Sequence, residues 1–202
     1  MSHLAIAEVS AFLRDTLWLG FDDDQDMRQI VQHPNNIVLS NPAQPTGPGA
    51  QRRLSLWLYQ VMPNEHLRNA DPVVHRTGRD ETAFQPPLPL NLLYLLTPSA
   101  QATSSDDGSL NDQRILGRAM QVFHDQSILS MRGPEPTYRA RELRISLAPR
   151  TIEELAKVWE AMQQPYRLSV CYEVRVVDIE SRRPLAAGKV LEREAGFAPA
   201  GA

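Results

Sequence analysis

The sequence predicts an α+β domain: a mixed, largely antiparallel sheet of about five or six strands with about three or four helices packed on it. Three observations carry this expectation. Segments with apolar residues at helical spacing are interspersed, in no regular order, with segments whose apolar residues alternate at period two. Some of the period-two segments are apolar on both faces, as strands covered on both sides are. Near the end, Ser181-Arg182-Arg183-Pro184 reads as a turn between two strand candidates, which implies an antiparallel pair.

Along the chain, Ile6, Val9, Leu13 and Leu17 fall on one helical face with Phe12 beside them, over residues 3–19. Ser2 is placed to cap this helix and Gly20 to stop it. Phe21-Asp22-Asp23-Asp24-Gln25-Asp26 reads as a turn into a short helix near 23–32. Pro34-Asn35-Asn36 breaks that helix, and Ile37-Val38-Leu39 is a short strand. Residues 40–51 are Pro, Gly and polar, hence a loop. In 53–62, Leu54, Leu56 and Leu58 share one face and Trp57, Tyr59 and Val61 the other, which predicts a central strand.

Residues 63–87 show little periodicity and read as a long excursion. Leu88, Leu90, Leu92, Tyr94 and Leu96 alternate as a second buried strand, with Leu93 and Leu95 opposite. Residues 98–112 read as a flexible loop and 112–125 as an amphipathic helix through Ile115, Leu116, Ala119, Met120 and Phe123. A Pro/Gly loop at 133–139 leads to a strand carrying Leu143, Ile145 and Leu147. Thr151 with Glu154 three residues on is a capping box. It opens a helix to about Gln163 with Leu155, Val158, Trp159 and Met162 as its stripe. In the strand that follows, Leu168, Val170, Tyr172, Val174 and Val176 point one way. Arg167, Ser169, Cys171, Glu173 and Arg175 point the other. The helix stripe is expected to pack on the sheet containing Leu168, Val170 and Tyr172. Residues 185–193 are expected to pair back as an edge strand. The chain is thus expected to hold one domain over 1–193 and a flexible tail over 194–202.

Composition narrows the function. With 42% hydrophobic and 22% charged residues, the chain is not a disordered segment. Apolar runs such as Leu92–Leu96 are far short of the ~20 residues of a membrane span, so no membrane insertion is expected. The net charge of −3 and the lack of a basic patch argue against a nucleic-acid partner. No Lys or Arg precedes Arg14 and no apolar core of about 7–15 residues follows, so no signal peptide is expected and synthesis is placed in a cytoplasm. Prolines number 16, which predicts stiff loops between elements. Lys157 and Lys189 are the only lysines among 21 basic residues. Arg-rich surfaces suit protein interfaces, because the planar guanidinium pairs bidentately with carboxylates.

Chemical signatures fail in turn. Asp22, Asp24 and Asp26 have the opening spacing of a calcium loop, but Met27 and His33 stand where it needs Gly and Glu. The five histidines are not at metal-ligand spacing, and no cofactor is expected. Pro48 removes a backbone donor that a phosphate cradle at Gly47-Pro48-Gly49 would need. Cys171 has polar strand neighbours, and Arg175 on the same face is placed to lower its thiol pKa, but no histidine is near in sequence to act as a base. A thiol enzyme using Cys171 therefore stays the lesser alternative, and no enzyme is expected.

The segments LSLWLYQVMPNEHLRN (54–69), PPLPLNLLYLLTP (86–98), LGRAMQVFHDQSIL (116–129) and LRISLAPRTIEELAKVWEAMQQPYRLSVCYEVRVVDIES (143–181) resemble a known family. It is that of the tail-terminator, or cap, proteins of contractile injection systems of the antifeeding-prophage and virulence-cassette type. The resemblance runs through most of 54–181 in matching order. It implies a structural protein, a homo-oligomeric ring of six that binds the distal end of the inner tube and sheath and ends their growth. It also implies a place in a particle that can be released from the cell. A baseplate or adaptor module of the same machine is the alternative. Because no family motif assigns contacts, the interface candidates come from the residues themselves. Arg182, Arg183 and Lys189, at the turn and edge strand, are placed to meet Asp22, Asp23 and Asp24 of a neighbour. An unpaired edge with so little blunting invites pairing with another chain.

Overall fold

A computed structural model describes residues 3–44, 51–67, 71–77, 80–99, 105–131, 141–181 and 183–185. Helix α1 spans Ala5–Asp22 and α2 Gln25–Val31. A 3-10 turn at Pro34–Asn36 follows, then strand β1 at Ile37–Val38. Strand β2 spans Leu54–Pro63, β3 Val73–Thr77, β4 Asp80–Phe84 and β5 Leu88–Pro98. Helix α3 is Ser105–Asp125, β6 Ile128–Met131, β7 Arg141–Leu147, α4 Ile152–Ala161 and β8 Val170–Ile179. The main sheet has the order β1-β2-β5-β8-β7-β6. Its pairs are antiparallel except the short parallel pair of β1 with β2. Strands β3 and β4 form a separate hairpin. This is the α+β class that the sequence predicts. Among the described residues no helix is long and apolar enough to cross a membrane.

The alternation of β5 and β8 divides the core in two. Leu92, Tyr94, Leu96, Tyr172 and Val174 face a large cluster filled by Val9, Leu13 and Leu17 of α1, Met27 of α2, and Ile115, Ala119 and Phe123 of α3. The opposite side chains, Leu95 and Cys171, form a smaller cluster with Leu155 and Trp159 of α4. Three helices thus cover one face and one short helix covers part of the other. Helix α4 therefore packs on this sheet as expected, with Trp159 against Leu95 and Cys171 on the face opposite Val170 and Tyr172. Leu168 lies ahead of β8 and is exposed. The capping box at Thr151 and Glu154 is present, with both reciprocal hydrogen bonds, at 2.9 and 3.3 Å.

Several boundaries differ from the expectation for identifiable reasons. Helix α1 runs through Gly20 to Asp22. This glycine serves a close approach: a Cβ there would lie 2.3 Å from Val122 Cγ2 of α3. Its carbonyl, free at the helix end, accepts from Arg118 Nε and Nη2 at 3.2 and 2.9 Å. Helix α3 begins at Ser105, so half of the expected loop at 98–112 is helical; Asp106 and Asp107 in its first turn suit the helix dipole. The excursion at 63–87 contains the β3–β4 hairpin, and β6 adds a strand that has too few residues to show a period.

Strand β2 is second in the sheet rather than central. It is buried on both faces only at Leu54, Ser55 and Leu56, and it bulges between Leu58 and Gln60. A second bulge lies where Leu90 and Leu92 pair with Val177 and Val174. It passes the inward position to Val177. The Pro/Gly loop at 133–139 and the tail at 194–202 lie outside the described residues. Of the expected strand at 185–193, only Leu185 is described. It donates its N–H to Ala83 O at 2.7 Å, and Pro184 bridges Phe84, so these two residues lie beside β4; residues 186–193 lie outside the described residues.

Candidate assembly surfaces

The acidic turn between α1 and α2 is built by its own caps. Asp24 is the N-cap of α2: its Oδ1 accepts from the backbone N–H groups of Asp26 and Met27 at 3.0 and 3.1 Å. Its other oxygen lies 3.9 Å from Arg118 Nε. Asp22 pairs with Arg28 at 2.9 Å. Asp23 is exposed and, like Asp26, stands in no ion pair among the described residues. Thus two of the three acidic candidates already hold local structure, and Asp23 is the one presented to solvent. Among the described residues no group of His, Cys, Asp and Glu is placed to hold a metal ion.

On the basic side, Arg183 is exposed and its carbonyl accepts from Gln85 N–H at 3.2 Å. Arg182 and Lys189 lie outside the described residues. No contact within the described chain brings Arg183 to the acidic turn, so any pairing between them would join two copies.

Two open sheet edges were not legible from sequence. On the outer side of β2 only Leu54 and Ser55 are paired, with Ile37 and Val38, which leaves the stretch from Leu56 to Pro63 without a strand neighbour among the described residues. At the far end β6 pairs with β7 and, among the described residues, with no other strand. Such edges carry unpaired backbone donors and acceptors. The brevity of β1 is what exposes β2, and a two-residue strand leaves no periodic signal to read.

The chemistry available on the sheet is that of support. Asn64 donates to Asn91 Oδ1 at 2.9 Å, and Asn91 donates to Glu173 Oε1 at 2.9 Å. Arg175 donates to Glu173 Oε2 at 2.9 Å through Nε and at 2.6 Å through Nη2. Both carboxylate oxygens thus accept from donors, so Glu173 ties β8 to β5 and, through Asn91, to Asn64 just past the end of β2.

Cys171 overturns its sequence reading. It is 3% exposed and sits in the apolar cluster under α4, not on a polar face. Burial pushes its thiol pKa up, against a hydrogen bond with Tyr59 and the charge of Arg150. Arg175 is engaged with Glu173 instead. Burial also pushes the Tyr59 hydroxyl up to about 12. Because thiolate is the reactive form, alkylation of Cys171 by iodoacetamide at pH 8 is expected to be far slower than that of a free thiol. It should reach the free-thiol rate only after addition of denaturant, as mass spectrometry would show. Rapid labelling of folded protein would contradict this burial.

A family profile described as the Pvc16 N-terminal domain matches residues 8–193. No curated protein sequence matches the chain. Two solved structures share its fold. One is the sheath/tube terminator of an extracellular contractile injection system, PVC, in the extended state. It has a TM-score of 0.59 and 15% identity, over 100% of this chain and 65% of that one. The other is the tube terminating cap of the anti-feeding prophage, with a TM-score of 0.52 and 16% identity, over 83% of this chain and 57% of that one. The chain therefore spans less than two thirds of either structure's length.

Proposed function

The chain belongs to the Pvc16 N-terminal domain family, and from that premise we propose that it is a structural cap of a contractile injection system. In this reading it binds the distal end of the inner tube and sheath as a homo-oligomeric ring of six and ends their polymerisation. It performs no catalysis. It is made and assembled in the cytoplasm and leaves the cell only as part of a released particle. Residues 1–193 act as one terminator domain, with 194–202 as a tail.

The observation that carries the reading is the fold match to two terminating caps, one of them over the whole of this chain. The physical features agree with it. A cap needs a rigid scaffold and contact surfaces rather than a reactive centre. Helices pack on one face of the sheet and on part of the other, and the one cysteine is buried with its thiol pKa pushed up. A ring closes when two different patches of one surface meet head to tail. Arg182, Arg183 and Lys189 against the acidic turn of a neighbour is one such pairing. Because Asp22 and Asp24 already hold Arg28 and α2, Asp23 would take most of that contact.

The test is a reconstruction of particles from cells with and without the gene. Six-fold density for this protein at the distal tube end is expected. Without it, tubes and sheaths should lose their narrow length distribution. Density at the baseplate or along the wall, or unchanged lengths in its absence, would overturn the cap reading.

A further inference from the structure

Three arginines gather at the end of the sheet where β2 begins and β5 ends. The backbone fixes Arg53 there: its N–H donates to Asn36 O at 2.8 Å and its carbonyl accepts from Ser99 N–H at 2.8 Å. Arg167 reaches the same end, donating from Nη2 to Pro98 O at 3.2 Å. Arg52 donates to the carbonyls of Pro42 and Gln44. Arg53 is 7% exposed and donates to Gln51 Oε1 at 2.8 Å. The Nε groups of Arg52 and Arg53 are buried and have no hydrogen-bond partner. None of the three guanidinium groups meets a carboxylate among the described residues. Burial first, and then the charge of Arg167, push the Arg52 pKa below its usual value. A buried cation is costly unless an opposite charge accompanies it, and guanidinium has donors only. This end of the sheet thus has the chemistry to take up an acidic group.

The chain itself carries a matching surface. Asp23 and Asp26 at the α1–α2 turn are exposed and in no ion pair among the described residues, while Asp22 and Asp24 serve the turn's own structure. In sequence, α2 and the turn at Pro34–Asn36 lie between this acidic turn and Arg53. We propose that the Arg52–Arg167 end of one copy receives the Asp23–Asp26 turn of the next copy in the ring. This rests on the ring reading above and replaces Arg182 and Arg183 as the acidic turn's partner. It joins two different patches, so the contact is heterologous and propagates around a closed ring. Arg–carboxylate pairing at this partly buried cluster also gives the planar, bidentate fit that sets register between subunits.

The experiment places photoreactive benzoylphenylalanine at position 23 of the full chain, assembles it on tube ends, and maps inter-subunit cross-links by mass spectrometry. Cross-links to the peptides containing Arg52 or Arg167 are expected. Arg167→Glu and Arg52→Glu together should lower the yield of capped ends at least tenfold, and adding Asp23→Arg with Asp26→Arg should restore it. Circular dichroism of each variant confirms that it is folded; Arg167→Glu alone, away from the 40–44 turn, is the milder arm and should give a smaller loss in the same direction. Rings whose cross-links fall elsewhere, at 182–189 for example, would overturn this contact and leave the ring standing. A single copy at the tube end, with no inter-subunit cross-link, would overturn both.

Discussion

Trp159→Ala is expected to remove about 3–5 kcal/mol of folding stability, the largest loss from any single truncation in α4. The indole is 1% exposed and fills the cluster with Leu95, Leu155 and Cys171. Its Nε1 also donates to the buried Ser169 Oγ at 3.3 Å, so truncation removes that partner as well as apolar contact. Helix α4 has only ten residues, below the length at which a helix holds itself in water, so tertiary anchoring has to stabilise it. Since a domain's total stability is about 5–15 kcal/mol, this one change should shift the denaturant midpoint severely or leave part of the chain unfolded at 37 °C. Trp159→Phe, which keeps most of the volume, should cost about 1–2 kcal/mol. A chemical denaturation curve for Trp159→Ala within 1 kcal/mol of the parent, a limit well below the ~3 kcal/mol expected, would show that α4 is not anchored this way.

Gly20→Ala should destabilise the protein by about 1–2 kcal/mol, whereas Gly117→Ala should stabilise it by up to about 1 kcal/mol. Both glycines lie within helices, where Ala gains about 1 kcal/mol over Gly in propensity. At Gly117 a Cβ meets nothing within 4 Å, so the propensity gain stands alone. At Gly20 the new Cβ would lie 2.3 Å from Val122 Cγ2, 3.1 Å from Cγ1 and 3.3 Å from Cβ. A β-branched side chain in a helix has essentially one rotamer, so Val122 cannot turn away and the α1–α3 pair must spread. Val122→Ala in the Gly20→Ala background should recover part of the loss, which a double-mutant cycle on thermal midpoints would measure. Two glycine substitutions of the same sign would refute the close-approach role of Gly20.

These two cases mark where sequence reading succeeds and where it stops. Gly20 has the signature of a helix stop, and by local rules it should end α1. The structure uses it as a contact point, because the helix it touches is about a hundred residues away in the chain, a separation that no local pattern encodes. Cys171 repeats the lesson. Its strand neighbours Glu173 and Arg175 suggest a polar face, and that face is polar at Glu173 and Arg175. It becomes a core at Cys171 only because α4 ends its run above that row and lays Trp159 on it. The candidate contacts show the same split. The acidity of the α1–α2 turn is plain in the sequence. That Asp22 and Asp24 are consumed by Arg28 and the α2 cap, leaving Asp23 and Asp26 outward, depends on how the two helices meet.

What the sequence by itself determined is local. Period-two and helical spacing are written in adjacent residues, so α1, α4, β5, β7 and the apolar rows of β2 and β8 were legible, as was the capping box at Thr151 and Glu154. Family membership was legible for the same reason, since it rests on ordered segments over 54–181. The remaining features are relational. Strand order placed β2 beside a two-residue β1 and so left its edge open. The split of β5 and β8 between two cores, the use of Gly20 against Val122, and the gathering of Arg52, Arg53 and Arg167 all join residues distant in the chain. Their energies depend on burial and on opposed charges, and both are set by the packing of whole elements rather than by any window of sequence.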